Sequence, residues 1–170
     1  SNSSQTVAIA PASQTVGVGA SVTFTASGGV NGYNWGGSAS GSGNLKTVTF
    51  PAAGSYTVSV YSPAGGSYNQ SNTATATITV ANNSQTVALT PNTQTITVGD
   101  TVNFSATGGV NGYVWGGAAS GGGTTKTVSF NTPGSYSVTA YSPAGGGYSQ
   151  SNTAASVITV NAIATTFAVA

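Results

Sequence analysis

The chain has 170 residues and almost no charge: Lys46, Lys126 and Asp100 are its only charged side chains, which gives a net charge of +1. Charged residues make up 2% of the sequence, against about a quarter in an ordinary globular domain. Two lysines cannot form the basic face that electrostatic binding of nucleic acid requires. No apolar stretch approaches the ~20 residues of a membrane-spanning helix. We therefore expect neither nucleic-acid binding nor membrane insertion.

A repeat with a period of 80 residues organises the sequence. Ser4-Gln5-Thr6-Val7 returns as Ser84-Gln85-Thr86-Val87, and the two copies align without a gap. A period of this length is typical of a small independent domain rather than of a solenoid repeat. The linker is too short for much slack, which predicts a semi-rigid stack of the two modules. We predict repeat 1 over 1–80, a linker over 81–83, repeat 2 over 84–160 and a further strand over 161–170.

Along repeat 1, apolar residues alternate with Ser and Thr, and helical periodicity is missing. Pro and Gly clusters bound each run. The seven alternating runs are Val7-Ile9, Val16-Val18, Val22-Phe24-Ala26, Tyr33-Trp35, Val48-Phe50, Tyr56-Val58-Val60 and Ala76-Ile78-Val80. Seven short strands in about 80 residues predict an all-β fold, with two tandem seven-stranded Greek-key sandwiches and an extra C-terminal strand.

Two motifs carry a family resemblance. Trp35 lies in the Tyr33-Trp35 strand, and Gly54-Ser55-Tyr56-Thr57-Val58 opens the penultimate strand; Trp115 and Tyr136 repeat them in the second copy. The pattern resembles immunoglobulin-like domains of bacterial surfaces and PKD-type (polycystic kidney disease-type) domains. The resemblance implies that Trp35, Tyr56, Trp115 and Tyr136 are structural core residues. PKD domains have an acidic stretch after the Trp; here Gly36 and Gly37 follow it, and we expect no metal site.

The residue types needed for catalysis are almost absent. The sequence has no His, no Cys and one acidic side chain, so it offers no general base, no thiol nucleophile and no carboxylate pair. Lys46 and Lys126 each lie beside a Thr at the start of a predicted exposed strand. We expect neither a Ser–Lys pair nor a Lys–Asn isopeptide bond at either lysine. The chain is predicted to be no enzyme, with no catalytic residues and no cofactor.

Tyrosines are the candidate binding residues. Tyr61 and Tyr141 are out of phase with the apolar residues before them, which predicts that they point outward. Tyr68 and Tyr148 lie in a Gly-rich loop before the last strand, with Asn69 and Gln150 nearby. Exposed Tyr beside amide side chains suits contact with sugars or another protein. Alternatively, these tyrosines cover their own loop or pack where the modules meet.

The C-terminal segment matches the start of a repeat. Thr166-Phe167-Ala168-Val169 aligns with Thr86-Val87-Ala88-Leu89 at the same period. Ile163, Phe167 and Val169 are therefore candidate residues of a donor strand. Three interpretations remain open: the start of a third repeat, a strand donated to another subunit, or a strand paired within its own chain.

These features favour a structural protein outside the cell, in a fibre, stalk or filament, with self-association through stacking and strand donation. The charge-poor surface of Ser, Thr, Gly and Asn is typical of secreted repeats, and Asn82 and Asn103 begin glycosylation motifs. One alternative is an adhesin module that binds carbohydrate or a cell-surface protein. A second is an accessory domain of a secreted enzyme or phage fibre.

Overall fold

The computed structural model describes residues 1–169, which fall into two units, Ser1–Asn83 and a second that begins at Ser84. These residues form strands and turns and contain no helix, so none that could cross a membrane. The alternation in sequence becomes an alternation in burial: in Ser21–Ser27 the side chains of Val22, Phe24 and Ala26 are buried and those between them are exposed. Antiparallel sheets with one wetted face produce this pattern.

Unit 1 is a sandwich of a three-stranded sheet, in the order β1-β3-β6, and a five-stranded sheet, in the order β2-β8-β7-β4-β5. Its strands are β1 (Ala8–Ala10), β2 (Ser13–Gly17), β3 (Ser21–Ser27), β4 (Asn34–Gly37), β5 (Gly41–Ser42), β6 (Leu45–Thr49), β7 (Gly54–Tyr61) and β8 (Ala74–Ala81).

Unit 2 repeats this arrangement with the sheets β9-β11-β13 and β10-β15-β14-β12. Its strands are β9 (Ala88–Thr90), β10 (Thr93–Thr97), β11 (Thr101–Thr107), β12 (Val114–Gly117), β13 (Thr125–Ser129), β14 (Gly134–Tyr141) and β15 (Ala154–Asn161). The two-residue β5 has no counterpart here, where only an isolated bridge joins Trp115 to Gly121.

The chain changes sheet early in each unit. β1 pairs antiparallel with β3, and after Pro11, which follows a cis peptide bond, β2 pairs in parallel with β8 in the other sheet. β9 and β10 do the same on either side of Pro91. The prediction of an all-β fold built from two immunoglobulin-like sandwiches is confirmed.

Each unit has its own hydrophobic core between its sheets. The largest fully buried side chains are phenylalanines: Phe24 and Phe50 in unit 1, and Phe104 in unit 2. Val58 of β7 and Val138 of β14 are also fully buried at the centre. Every one of these positions is the same in both repeats, so the duplication conserves the packing that excludes water.

Residues 162–169 belong to no strand within the chain, and all of them are exposed. Unit 2 already has β9 beside β11, at the place that a first strand takes in this fold. The place of the first strand in unit 2 is therefore already occupied. The interpretation that it pairs with its own chain is not what the structure shows.

Candidate functional site

One tryptophan lies in the core of each unit. Trp35 of β4 is 7% exposed and its Nε1 donates a hydrogen bond to the Gly43 carbonyl at 2.6 Å. Trp115 of β12 is 4% exposed and donates to the Gly123 carbonyl at 2.7 Å. The indole thus fills the core with its ring while its only polar group is satisfied by the following loop. This geometry leaves neither ring free to bind a ligand.

Tyr56 and Tyr136 close the end of the sandwich. The Tyr56 ring packs on Phe50 with a centroid distance of 5.1 Å, and its hydroxyl donates to the Ala52 carbonyl at 2.9 Å. Tyr136 packs on Phe130 at 5.2 Å and donates to the Thr132 carbonyl. Each tyrosine therefore joins the core to the turn before its own strand.

Tyr61 and Tyr141 end their strands on the outer face of the larger sheet, because the residues before them, Val60 and Ala140, point into the core. In unit 1 the Asn34 side chain donates to the Tyr61 hydroxyl at 3.1 Å. Tyr141 faces Val114 instead, which has no such donor. The two tyrosines are half-buried by their own sheets.

Tyr68 and Tyr148 lie at the base of a tight turn. The backbone N–H and carbonyl of Tyr68 both bond to Gly65, and Tyr148 bonds to Gly145 in the same way. In unit 1 the neighbouring Asn69 accepts a side-chain bond from Asn2 at 3.3 Å. The rings of Tyr61 and Tyr68 do not stack on each other. Within residues 1–169 the stacked aromatic pairs are Phe50 with Tyr56 and Phe130 with Tyr136. Gln150 is exposed.

A buried glutamine, missed by the sequence analysis, organises this loop end. Gln5 is 7% exposed, and its Nε2 donates to the carbonyls of Pro63 and Asn69 at 2.9 and 2.8 Å. Its Oε1 accepts the Val30 N–H at 2.8 Å. Gln85 makes the equivalent bonds in unit 2. One side chain thus joins the N-terminal segment to two loops.

Asn72 supplies a second connection of the same kind. Its Oδ1 accepts the Val7 N–H at 2.8 Å and its Nδ2 donates to the Val7 carbonyl at 2.9 Å. The amide therefore takes the place of a neighbouring strand for one residue of the backbone. Asn152 bonds to Val87 in the same way.

A signal for these residues was present in the sequence. Gln5 and Asn72 are identical to Gln85 and Asn152 in the other repeat. Identity alone did not separate them from the many other shared polar residues, because their bonding partners lie 25 to 65 residues away. Their polar atoms are hydrogen-bonded to backbone groups. They therefore stabilise the loops and are not free to bind a ligand.

The most exposed large apolar side chains of residues 1–169 lie near the C-terminus. Ile163 is 64% exposed, Phe167 is 91% exposed and Val169 is 96% exposed. Their counterparts in the repeat behave differently: Val87 and Leu89 are 2% and 6% exposed in the core of unit 2. No cavity is found in the described part of the chain. The features available for binding are therefore sheet edges, sheet faces and this segment.

Comparison with known proteins gives distant structural neighbours. No family model matches the sequence, and no curated protein matches it. Among solved structures, the chain is similar to the tandem Ig repeats of Dlar, with 16% identity, a TM-score of 0.35, and coverage of 94% of this chain and 100% of that one. The D00-D0 domain of Intimin gives 14% identity, a TM-score of 0.32, and coverage of 88% and 98%.

The N-terminal four Ig domains of Dscam1 isoform 4.4 give 15% identity and a TM-score of 0.34. This match covers 88% of the present chain and 42% of the Dscam1 chain. The chain thus spans less than half the length of that neighbour.

Proposed function

We propose that this chain is a structural unit of an extracellular fibre, stalk or filament, and that copies assemble through the C-terminal segment, residues 163–169. The observation that carries the proposal is the exposure of Phe167 and Val169 at positions where the repeat buries its first strand. The resemblance to surface immunoglobulin-like domains and the near-absence of charge support the extracellular setting.

The segment has the alternation of a strand and belongs to neither hydrophobic core of residues 1–169. Phe167 and Val169 are two residues apart, so in an extended chain they lie on the same face. Burying such side chains contributes about 1.5–3 kcal/mol each relative to leaving them in water. A second copy of the chain offers sheet edges with free backbone groups, to which an extended segment can add as a further strand.

This mode of assembly is directional. The donated segment lies at the C-terminal end of one copy, and the accepting edge lies elsewhere on the next. Contacts between two different surfaces do not close on themselves unless the rotation between copies forms a ring, and so they generate open filaments. A linear polymer is the expected product, and its mechanical role requires no catalytic residue.

Variants of the segment test the proposal. We expect the full chain to form polymers visible by electron microscopy, and the double variant Phe167→Asp with Val169→Asp to remain monomeric in size-exclusion chromatography with light scattering. The matched control is Thr166→Asp with Ala168→Asp. It adds the same two charges to the opposite face of the strand, so it should assemble far better.

Deletion of residues 162–170 gives the complementary result: the shortened chain should be monomeric. Polymers that persist after this deletion would contradict the proposal, as would a full-length chain that stays monomeric at all concentrations. Equal loss of assembly in the two Asp pairs would show that added charge, and not the buried face of a strand, is responsible.

A further inference from the structure

The two lysines lie at matching places on sheet edges. Lys46 is the second residue of β6 and Lys126 is the second residue of β13. Each of these strands is the last of its three-stranded sheet, so within residues 1–169 it has a strand on one side only. Each lysine is also the only cationic side chain in its unit.

The free side of β6 carries backbone groups that can accept another strand. Ala26 N–H donates to the Asn44 carbonyl at 2.8 Å and Phe50 N–H donates to the Ala20 carbonyl at 3.0 Å, so the even-numbered residues face β3. Because successive residues of an antiparallel strand direct their backbone groups to opposite sides, Leu45, Thr47 and Thr49 direct theirs away from the sheet. An edge of this kind is a template for pairing with another chain.

Both lysines point inward, whereas the sequence predicted an exposed position at the start of a strand. Lys46 is in register with Phe24, which is fully buried, and residues directly opposite each other share a face of the sheet. Lys126 is likewise in register with Phe104. Both lysines are half-buried. The inward direction places a charge at the boundary between core and water.

The ammonium group lies beside a glycine that follows β4 in unit 1 and β12 in unit 2. A Cβ atom on Gly41 would lie 3.1 Å from the Lys46 Nζ, and one on Gly121 would lie 3.3 Å from the Lys126 Nζ. Unit 1 contains no acidic side chain, and the Asp100 carboxylate of unit 2 accepts the Thr97 N–H at 3.0 Å. Each ammonium therefore depends on water. An added strand that covered the edge would remove that water, and desolvating an unpaired charge is costly.

We infer that Lys46 and Lys126 keep the β6 and β13 edges from pairing with a second copy of this chain. Of the other edge strands, β1 and β9 have three residues each and β5 has two, whereas β2 and β10 have five each and β12 has four. This role is separate from assembly through the C-terminal segment, because it concerns only the β6 and β13 edges.

Neutral variants test this role in a parent chain that carries Phe167→Asp and Val169→Asp, which is expected to be monomeric. Lys46→Met with Lys126→Met keeps an unbranched stem against the core, and Lys46→Thr with Lys126→Thr keeps a polar residue suited to a strand. The control, Lys46→Arg with Lys126→Arg, keeps the charge. We expect both neutral pairs to form more dimers and larger species than this parent by light scattering, whereas the Arg pair behaves as the parent does.

Hydrogen exchange locates the contact. In the assembled neutral variants, the amides of Leu45, Thr47 and Thr49 should exchange at least about tenfold more slowly than in the Arg pair, because a paired edge protects its N–H groups. Unchanged assembly with unchanged exchange would overturn the inference. It would also be overturned by assembly that leaves these amides unprotected, or by assembly of the Met pair alone, which would reflect added apolar surface.

Discussion

At the scale of single residues, a buried amide side chain joins loops that are distant in sequence. Gln5 binds two carbonyls and one N–H from loops that are distant in sequence. The amide can satisfy all of these groups because it carries both donors and an acceptor. A carboxylate in its place would present only acceptors to the carbonyls of Pro63 and Asn69.

We predict that Gln5→Ala destabilises unit 1 by about 2 kcal/mol, because it leaves a partly buried N–H and carbonyls without partners. Unfolding in urea, followed by the fluorescence of Trp35 in a Trp115→Phe background, measures this. The control is Gln70→Ala, an exposed glutamine in the same unit, which should change stability by less than about 0.5 kcal/mol. Similar losses in the two variants would show that the network adds nothing to stability.

Residue patterns in the sequence predicted the core better than the loops. Alternation identified Phe24, Val58 and Ile78, because burial in a strand depends on neighbours two positions away. The burial of Gln5 depends on carbonyls of residues 62, 63 and 69, which come near only when the whole unit has folded. Local patterns contain no information on such distant partners.

At the scale of elements, the turn after β3 requires a glycine for two reasons. Gly28 has φ +86°, and a Cβ there would overlap the Thr6 carbonyl oxygen. Gly19 has nearly the same φ, +85°, with nothing within 4 Å of an added Cβ. The two positions therefore share the conformational requirement and differ in the space available.

We predict that Gly19→Ala costs about 1–2 kcal/mol, which is the penalty of a left-handed conformation for an L-residue. Gly28→Ala should cost about 1–3 kcal/mol more, because the Thr6 backbone must move away. Calorimetric unfolding of the two variants gives the difference. A Gly28 variant as stable as the Gly19 variant would mean that the first segment of the chain adjusts freely.

The order of the strands was accessible from sequence, but their exact neighbours were not. Pro11 and the Gly-rich turns marked where strands end, and the seven predicted runs correspond to strands in the structure. The sequence did not show the two-residue β5, whose pairing with β4 depends on the turn between them. It also assigned Lys46 to an exposed position, because the register of β6 against Phe24 is a tertiary property.

At the scale of the molecule, each of the three charged side chains lies on an edge strand or in the turn that follows one. Lys46 and Lys126 lie on β6 and β13, and Asp100 bonds to the last residue of β10, which is also an edge strand. Sheet faces instead carry paired hydroxyls, such as Thr23 with Thr47 at 2.8 Å. The charged side chains thus lie at the edges of the sheets, where backbone groups lack a neighbouring strand, and the solvent-facing sides of the sheets carry neutral hydroxyl groups.

The same scarcity of charge predicts stability that barely depends on pH. With no His and one acidic side chain, few groups exchange protons between pH 4.5 and pH 8, and stability changes with pH only where folded and unfolded chains bind different numbers of protons. We expect the Tm at pH 4.5 and at pH 8 to agree within about 3 °C, since 1 kcal/mol shifts the Tm of a small domain by about 4–8 °C.

Scanning calorimetry at constant ionic strength measures this, with Val48→His as the control. Val48 is half-buried, and burial lowers the pKa of a histidine because it disfavours the charged form. When folding lowers the pKa of a histidine, the unfolded chain takes up a proton more readily than the folded chain as the pH falls. The folded state is therefore less stable at low pH, and this variant should melt at a lower temperature at pH 4.5 than at pH 8. A parent chain that showed the same fall would require a proton-linked group that its composition does not provide.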